Sequence, residues 1–172
     1  VLVALYVGDH RDDTLLVRLG WKATRIAQRG IFRRVTHVEA ILRRNPDGSV
    51  VIGSSTLRPE NNGHDGVRVK HDVHLRAGSW RIFDVPSWDV AKAWAYFNEH
   101  DGWRYDKRGA LGTVFPLVGH NPRKKFCNGA VGDPFIPSAH TLGPAQFAII
   151  VSLLGYEITD EFFAARSGVA SV

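Results

Sequence analysis

The sequence contains a single cysteine in 172 residues. No disulfide can form within the chain, and a four-cysteine zinc site is excluded. A lone thiol fits a reducing compartment, and it equally fits a catalytic nucleophile. Long apolar runs are also missing. None reaches the roughly 18 residues that a membrane-spanning helix needs, and the longest apolar stretch, residues 147–154, suits a buried helix. No internal repeat, low-complexity tract or long linker interrupts the chain. The apolar stretch at residues 1–7 is short and runs at once into Asp9, Asp12 and Asp13. It lacks the basic start and cleavage site of a signal peptide and reads as a first strand, so the expected setting is cytoplasmic.

A chain of 172 residues fits one domain with a real core, and 1–172 is read as a single unit. Net charge is +5, and the basic residues are unevenly spread. Arg18, Lys22, Arg25, Arg29, Arg33 and Arg34 crowd the first fifth, and Arg123, Lys124 and Lys125 stand just before Cys127. This is either a solvated basic surface or an attraction to an anionic partner such as nucleic acid, cell-wall polymer or phospholipid. No nucleic-acid motif is visible, so nucleic acid is not the expected partner.

Periodicity gives the coarse layout. Residues 14–28 carry Leu15, Leu16, Leu19, Ala23 and Ile26 at helical spacing, with Gly30 as a stop. Residues 36–42 read as a strand, and residues 49–56 as its return. Between them, Asn45-Pro46-Asp47-Gly48 is a turn, because proline fixes φ and glycine accepts positive φ. In the simplest register Thr56 lies opposite His37 and Ser54 opposite Glu39. A polar loop at 59–65 precedes strands at 67–75 and 80–85. Ser87 is the expected cap of a helix running to about His100, with Val90, Ala91, Trp94 and Phe97 on one face. Residues 105–123 read as mostly loop. Cys127 opens one or two helical turns before Pro134. A last helix starts at Pro144 and ends before Gly155, and 156–158 add a terminal strand. Strands run mostly together with helices flanking them, which argues α+β with an antiparallel sheet.

The chemistry centres on Cys127. A thiolate needs a nearby base or a positive field, and three cations lie just upstream. A helix opening at Cys127 would turn its positive dipole end to the sulfur. The small residues Asn128-Gly129-Ala130 would let substrate approach and let backbone N–H groups face an oxyanion. Against this, a buried structural role is the commonest fate of a free cysteine. Among eight histidines, His37 sits inside an apolar strand, which holds an imidazole rigidly enough for general-base work. If Val38, Ala40 and Leu42 face one side, His37, Glu39 and Ile41 face the other. His140, in a loop close to Cys127 in sequence, is its rival. His64, His71, His74 and His100 read as exposed. His71 and His74 are three apart, but no cysteine or acidic cluster accompanies them, so neither metal nor other cofactor is expected. The group that orients the imidazole is Glu39 from its own strand, or Ser54, Ser55 or Thr56 from the partner strand.

Four pieces then carry a resemblance: Thr36-His37-Val38-Glu39; Gly53-Ser54-Ser55 with Gly66-Val67-Arg68-Val69-Lys70; Tyr105-Asp106-Lys107-Arg108-Gly109; and Phe126-Cys127-Asn128-Gly129. In this order they resemble the circularly permuted NlpC-type papain-like superfamily, in which histidine precedes cysteine. That group includes bacterial and phage hydrolases and lecithin retinol acyltransferase relatives. The resemblance spans roughly residues 30–155. It implies a papain-like fold, attack by Cys127 on an amide or ester carbonyl with His37 as base, and an acyl-enzyme. The Cys127 N–H, Tyr105 and Asn128 would serve the oxyanion or substrate, and the substrate would be a peptide, cell-wall or lipid-like molecule. Two departures stand out. Family members commonly have Cys-Ser-Glu where this chain has Cys127-Asn128-Gly129. They also often carry a carboxylate or second histidine on the strand after the catalytic histidine, where this chain has Gly53-Ser54-Ser55. The alternatives are a degenerate binding or structural module on the same fold, or a lipid acyltransferase.

Overall fold

The computed structural model describes residues 1–8, 32, 34–57, 65–112, 121 and 123–165. The helix expected at 14–28, most of the basic crowd and His64 lie outside the described residues. Six strands form one sheet: β1 (Leu2–Tyr6), β2 (His37–Arg44), β3 (Val50–Thr56), β4 (Gly66–Val73), β5 (Trp80–Asp84) and β6 (Tyr156–Glu157). Their order is β4-β3-β2-β1-β5-β6, and every pairing is antiparallel. The helices are α1 (Val90–Glu99), α2 (Lys107–Gly112), α3 (Cys127–Gly132), α4 (Pro144–Leu154) and α5 (Thr159–Ala164), with a 3₁₀ turn at Ala139–Thr141. The fold is α+β, an open antiparallel sheet with flanking helices.

The β2–β3 hairpin turns as its residues dictate. The Gly48 N–H donates to the Asn45 carbonyl at 3.0 Å, and the Asn45 N–H donates to the Ser49 carbonyl at 2.9 Å. Gly48 has φ 81°, in the left-handed region that glycine tolerates. Arg44 pairs with Val50, one residue off the simplest register. A bulge between Ile41 and Arg43 then restores that register, and Ala40 pairs with Gly53. The bulge therefore fixes what lies across from the histidine end of β2.

Alternation along the strands splits the core in two. Val38, Ala40 and Leu42 join Val3, Leu5, Phe83, Phe97, Phe126, Ala130 and Phe147 in one cluster. Ile41 joins Ala4, Val50, Ile52, Ile82 and Phe162 in the other. On the first face Phe97 lies so close to Gly53 that a Cβ there would sit 2.3 Å from its ring.

Several expectations are corrected. Asp89, not Ser87, caps α1: its carboxylate accepts from the Ala91 N–H at 2.8 Å. Pro86 and Ser87 are used instead in a turn closed by the Trp88 N–H on the Val85 carbonyl. The buried face of α1 is Ala93 and Phe97, while Val90 is exposed. The stretch 105–123 is not mostly loop where described, because Lys107–Gly112 is helical despite Gly109 and Gly112. The helix α5 follows β6 and seats Phe162 in the second core. His100 is half-buried rather than exposed, its ring stacked on Tyr96 with centroids 4.0 Å apart.

Candidate active site

The segment entering Cys127 is pinned on both sides. Tyr105 bridges Lys125 in parallel. The Asp106 N–H donates to the Lys125 carbonyl at 3.1 Å, and the Lys125 N–H to the Arg104 carbonyl at 3.2 Å. The Ser55 hydroxyl donates to the same Lys125 carbonyl at 2.7 Å, tying the segment to β3. Extended backbone at Phe126 (φ −102°, ψ 177°) then gives way to α3, all six residues of which are buried. Small residues permit this packing: a Cβ at Gly132 would sit 2.5 Å from Phe147 and from Ala139.

Cys127 itself is 2% exposed, so its thiol is recessed. The histidine it meets is His37, at the start of β2. Burial alone would lower the basicity of that imidazole. A hydrogen bond and charge interaction with Cys127, and the same with Glu39, outweigh burial and raise its pKa from 6.5 to about 9. The His37 side chain is 13% exposed and Glu39 is 4% exposed.

Glu39 is the hub of the site. Its Oε1 lies 3.3 Å from His37 Nε2. The same oxygen accepts from the Ser54 hydroxyl at 2.8 Å and from Lys70 Nζ at 3.3 Å. Burial would raise the Glu39 pKa. The His37 hydrogen bond, the Lys70 charge and the Ser54 hydroxyl overcome it and hold the carboxyl at about 2. The buried carboxylate is therefore ionised, with these three contacts gathered on one oxygen. An imidazole that donates from Nε2 to this carboxylate has Nδ1 left for the thiol.

The expected site residues thus separate into distinct parts. Cys127, His37 and Glu39 come together, and the carboxylate comes from two residues along β2 rather than from β3. Ser54 touches Glu39 and so orients the orienter. Ser55 is committed to Lys125, and Thr56 accepts from Arg68. Tyr105 is buried beside Cys127. Burial, followed by negative charge at Cys127 and Asp106, raises its pKa far above 10 and keeps it an O–H donor. Asn128 is buried with its side chain engaged. Its Nδ2 donates to the Leu142 carbonyl at 2.8 Å, and its Oδ1 accepts from the thiol at 3.4 Å. One of the two Nδ2 hydrogens is thus committed, and the backbone N–H of Asn128 is a further donor.

The rival His140 is held elsewhere. Its Nδ1 lies 3.2 Å from Asp133 Oδ1, and Lys125 pairs with the other oxygen of that carboxylate. Its Cα and Cβ pack on Gly129, where an added Cβ would sit 3.0 Å from the His140 Cβ. Lys70 was not singled out in the sequence. Its alternation along β4 was visible, but the sequence before β4 carries no tight-turn signature, so the register that sets it near Glu39 was not. Among the described residues, no group of three histidine, cysteine or acidic side chains is placed to hold a metal ion. No described helix is long and apolar enough to cross a membrane.

Compared with known proteins, the chain matches no family model, no curated protein and no solved structure. The site's reading therefore rests on its own geometry.

Proposed function

We propose that the protein is a cysteine hydrolase of the circularly permuted papain-like kind, cleaving an amide bond through an acyl-enzyme. One observation carries the reading: His37 is shared between the chain's only thiol and a buried, ionised carboxylate. That is the nucleophile–base–orienter arrangement, recognisable by geometry whatever the order along the chain.

In this mechanism the Cys127 thiol gives its proton to His37, and the sulfur attacks the carbonyl carbon. The C–N bond then breaks as the imidazolium returns the proton to the leaving amine. Water, deprotonated by His37, attacks the thioester carbon, and the acid leaves as the thiol is restored. Glu39 stabilises the imidazolium and fixes the ring. The Cys127 and Asn128 N–H groups open α3 without helical partners, and with the Tyr105 hydroxyl they are the donors for the oxyanion.

The test is a panel of peptide amides, cell-wall peptides and acyl esters, with intact-mass detection of the acyl-enzyme. Turnover on one class, absent in Cys127→Ala, is the expected result. A thioester that prefers an added amine to water would instead make the protein an acyltransferase. The recessed thiol favours a second reading, a catalytically silent module on the same fold. No thioester and no Cys127-dependent turnover across the panel would establish that reading and overturn the first.

A further inference from the structure

A cavity of about 130 Å³ lies beside the segment that leads into Cys127, with Tyr105 in its lining. By the same measure a single water needs about 10–15 Å³, so a phosphate or carboxylate group fits with water to spare. Its lining carries four cations, Arg104, Lys107, Arg108 and Lys124, against two carboxylates, Asp65 and Asp106. Both carboxylates are engaged. Asp65 faces Lys107 at 3.6 Å, and Asp106 accepts from the Asn121 N–H at 3.1 Å. The lining therefore keeps an excess of positive charge.

The walls are preformed. One is the segment 104–108, the other includes Asn121 and Lys124, and backbone hydrogen bonds run from Lys125 to Arg104 and from Asp106 to Lys125. The second wall continues through Lys125 and Phe126 directly into Cys127. Tyr105 belongs to both places: it lines the cavity, and its phenol senses the charge of Cys127. Oriented cations around such a cavity add binding and steering for a charged group.

We infer that this cavity is a subsite for an anionic group, a carboxylate or a phosphate, carried by the substrate whose carbonyl Cys127 attacks. The inference rests on the cysteine-hydrolase reading and specifies its substrate class: acidic acyl compounds rather than neutral ones.

The experiment has two parts. First, inorganic phosphate and glutarate are titrated separately into the full chain while the backbone amides of residues 104–108 and 123–125 are followed by NMR. Saturable shifts are expected, stronger for whichever anion the site is built for. Arg108→Gln with Lys124→Gln should weaken them by about ten-fold, as expected for a lost charge-assisted contact. Linear shifts, or equal affinity in the double variant, would overturn the inference. Second, Cys127 is alkylated with iodoacetate and with iodoacetamide, which differ in charge but little in size. The ratio of the two rates should fall in the double variant and with added salt. An unchanged ratio would mean that the cavity does not serve the thiol, and the subsite would be withdrawn. Failure of the hydrolase reading looks different. Cys127→Ala would still bind the anions, and the wild type would bind them without turning anything over.

Discussion

Replacing His37 with glutamine lowers the rate of acyl-enzyme formation by about 10²–10⁴-fold, the range a positioned general base contributes. The loss falls on kcat and on kcat/KM together, because the base acts in the transition state rather than in substrate binding. Glutamine keeps the strand position of His37 and a polar side chain beside Glu39, so the fold is retained. Cys127→Ala forms no acyl-enzyme, and in residual substrate turnover the double variant is little worse than either single one, since nucleophile and base act as a unit. His140→Gln leaves the rate within a few-fold of the wild type, because the His140 ring is held by Asp133. Single-turnover kinetics on any substrate that acylates the wild type measures all four proteins. Losses that multiply in the double variant, or a His140 variant as slow as the His37 variant, would reassign the base.

The second large effect is at Glu39. Glu39→Gln keeps shape and hydrogen-bonding capacity but removes the charge that His37 and Lys70 both face. Breaking one side of a buried ion pair costs about 3–5 kcal/mol. At about 2–4 °C per kcal/mol for a chain of this size, the melting temperature drops by roughly 10 °C. The pH dependence gives the specific signature. The Glu39 pKa is depressed, from 4.5 to about 2, so its contribution is present above pH 4.5 and is lost as pH falls through about 2. The His37 pKa is raised, from 6.5 to about 9, so its contribution is full below pH 6.5 and is lost as pH rises through about 9. The wild type should show both limbs in denaturant unfolding at a series of pH values. Glu39→Gln should lose the acid limb attributable to this residue and shrink the alkaline one. An unaltered acid limb in the variant would deny Glu39 its buried, ionised state.

How much of this could be read from residues alone depended on whether the information was local. The hairpin was legible because Asn45-Pro46-Asp47-Gly48 is self-sufficient turn chemistry. Once the turn is known, period-two alternation sets His37 and Glu39 on one side of β2. The bulge after Ile41 was not legible, since no glycine or proline marks it, yet it decides that Ala40 meets Gly53. The choice between Glu39 and Ser54 as orienter depends on side-chain reach. Both occupy suitable positions, and the answer is a relay, with Ser54 on Glu39 and Glu39 on His37. This also accounts for the apparent lack of a carboxylate on β3, because β2 supplies it. Lys70 depends on a strand register that no tight turn sets, and the Asp133–His140 pair on an irregular turn of seven residues that carries no periodicity. The cap at Asp89 was misread because Pro86-Ser87 looks like a helix start but serves the preceding turn. The antiparallel α+β sheet follows from local alternation and turns, whereas the papain-like likeness rests on the order and spacing of four short pieces.

The whole account turns on an imidazole shared by a thiol and a carboxylate. The most direct measurement is a pH titration of the His37 ring by nitrogen NMR, in the wild type and in Cys127→Ala. The wild-type ring should take up its proton with a midpoint near 9. Removing the sulfur removes a hydrogen-bonding and charge partner, so the midpoint should fall clearly in the variant. A His37 midpoint near the ordinary 6.5 in the wild type, or one that ignores the loss of Cys127, would contradict the pairing.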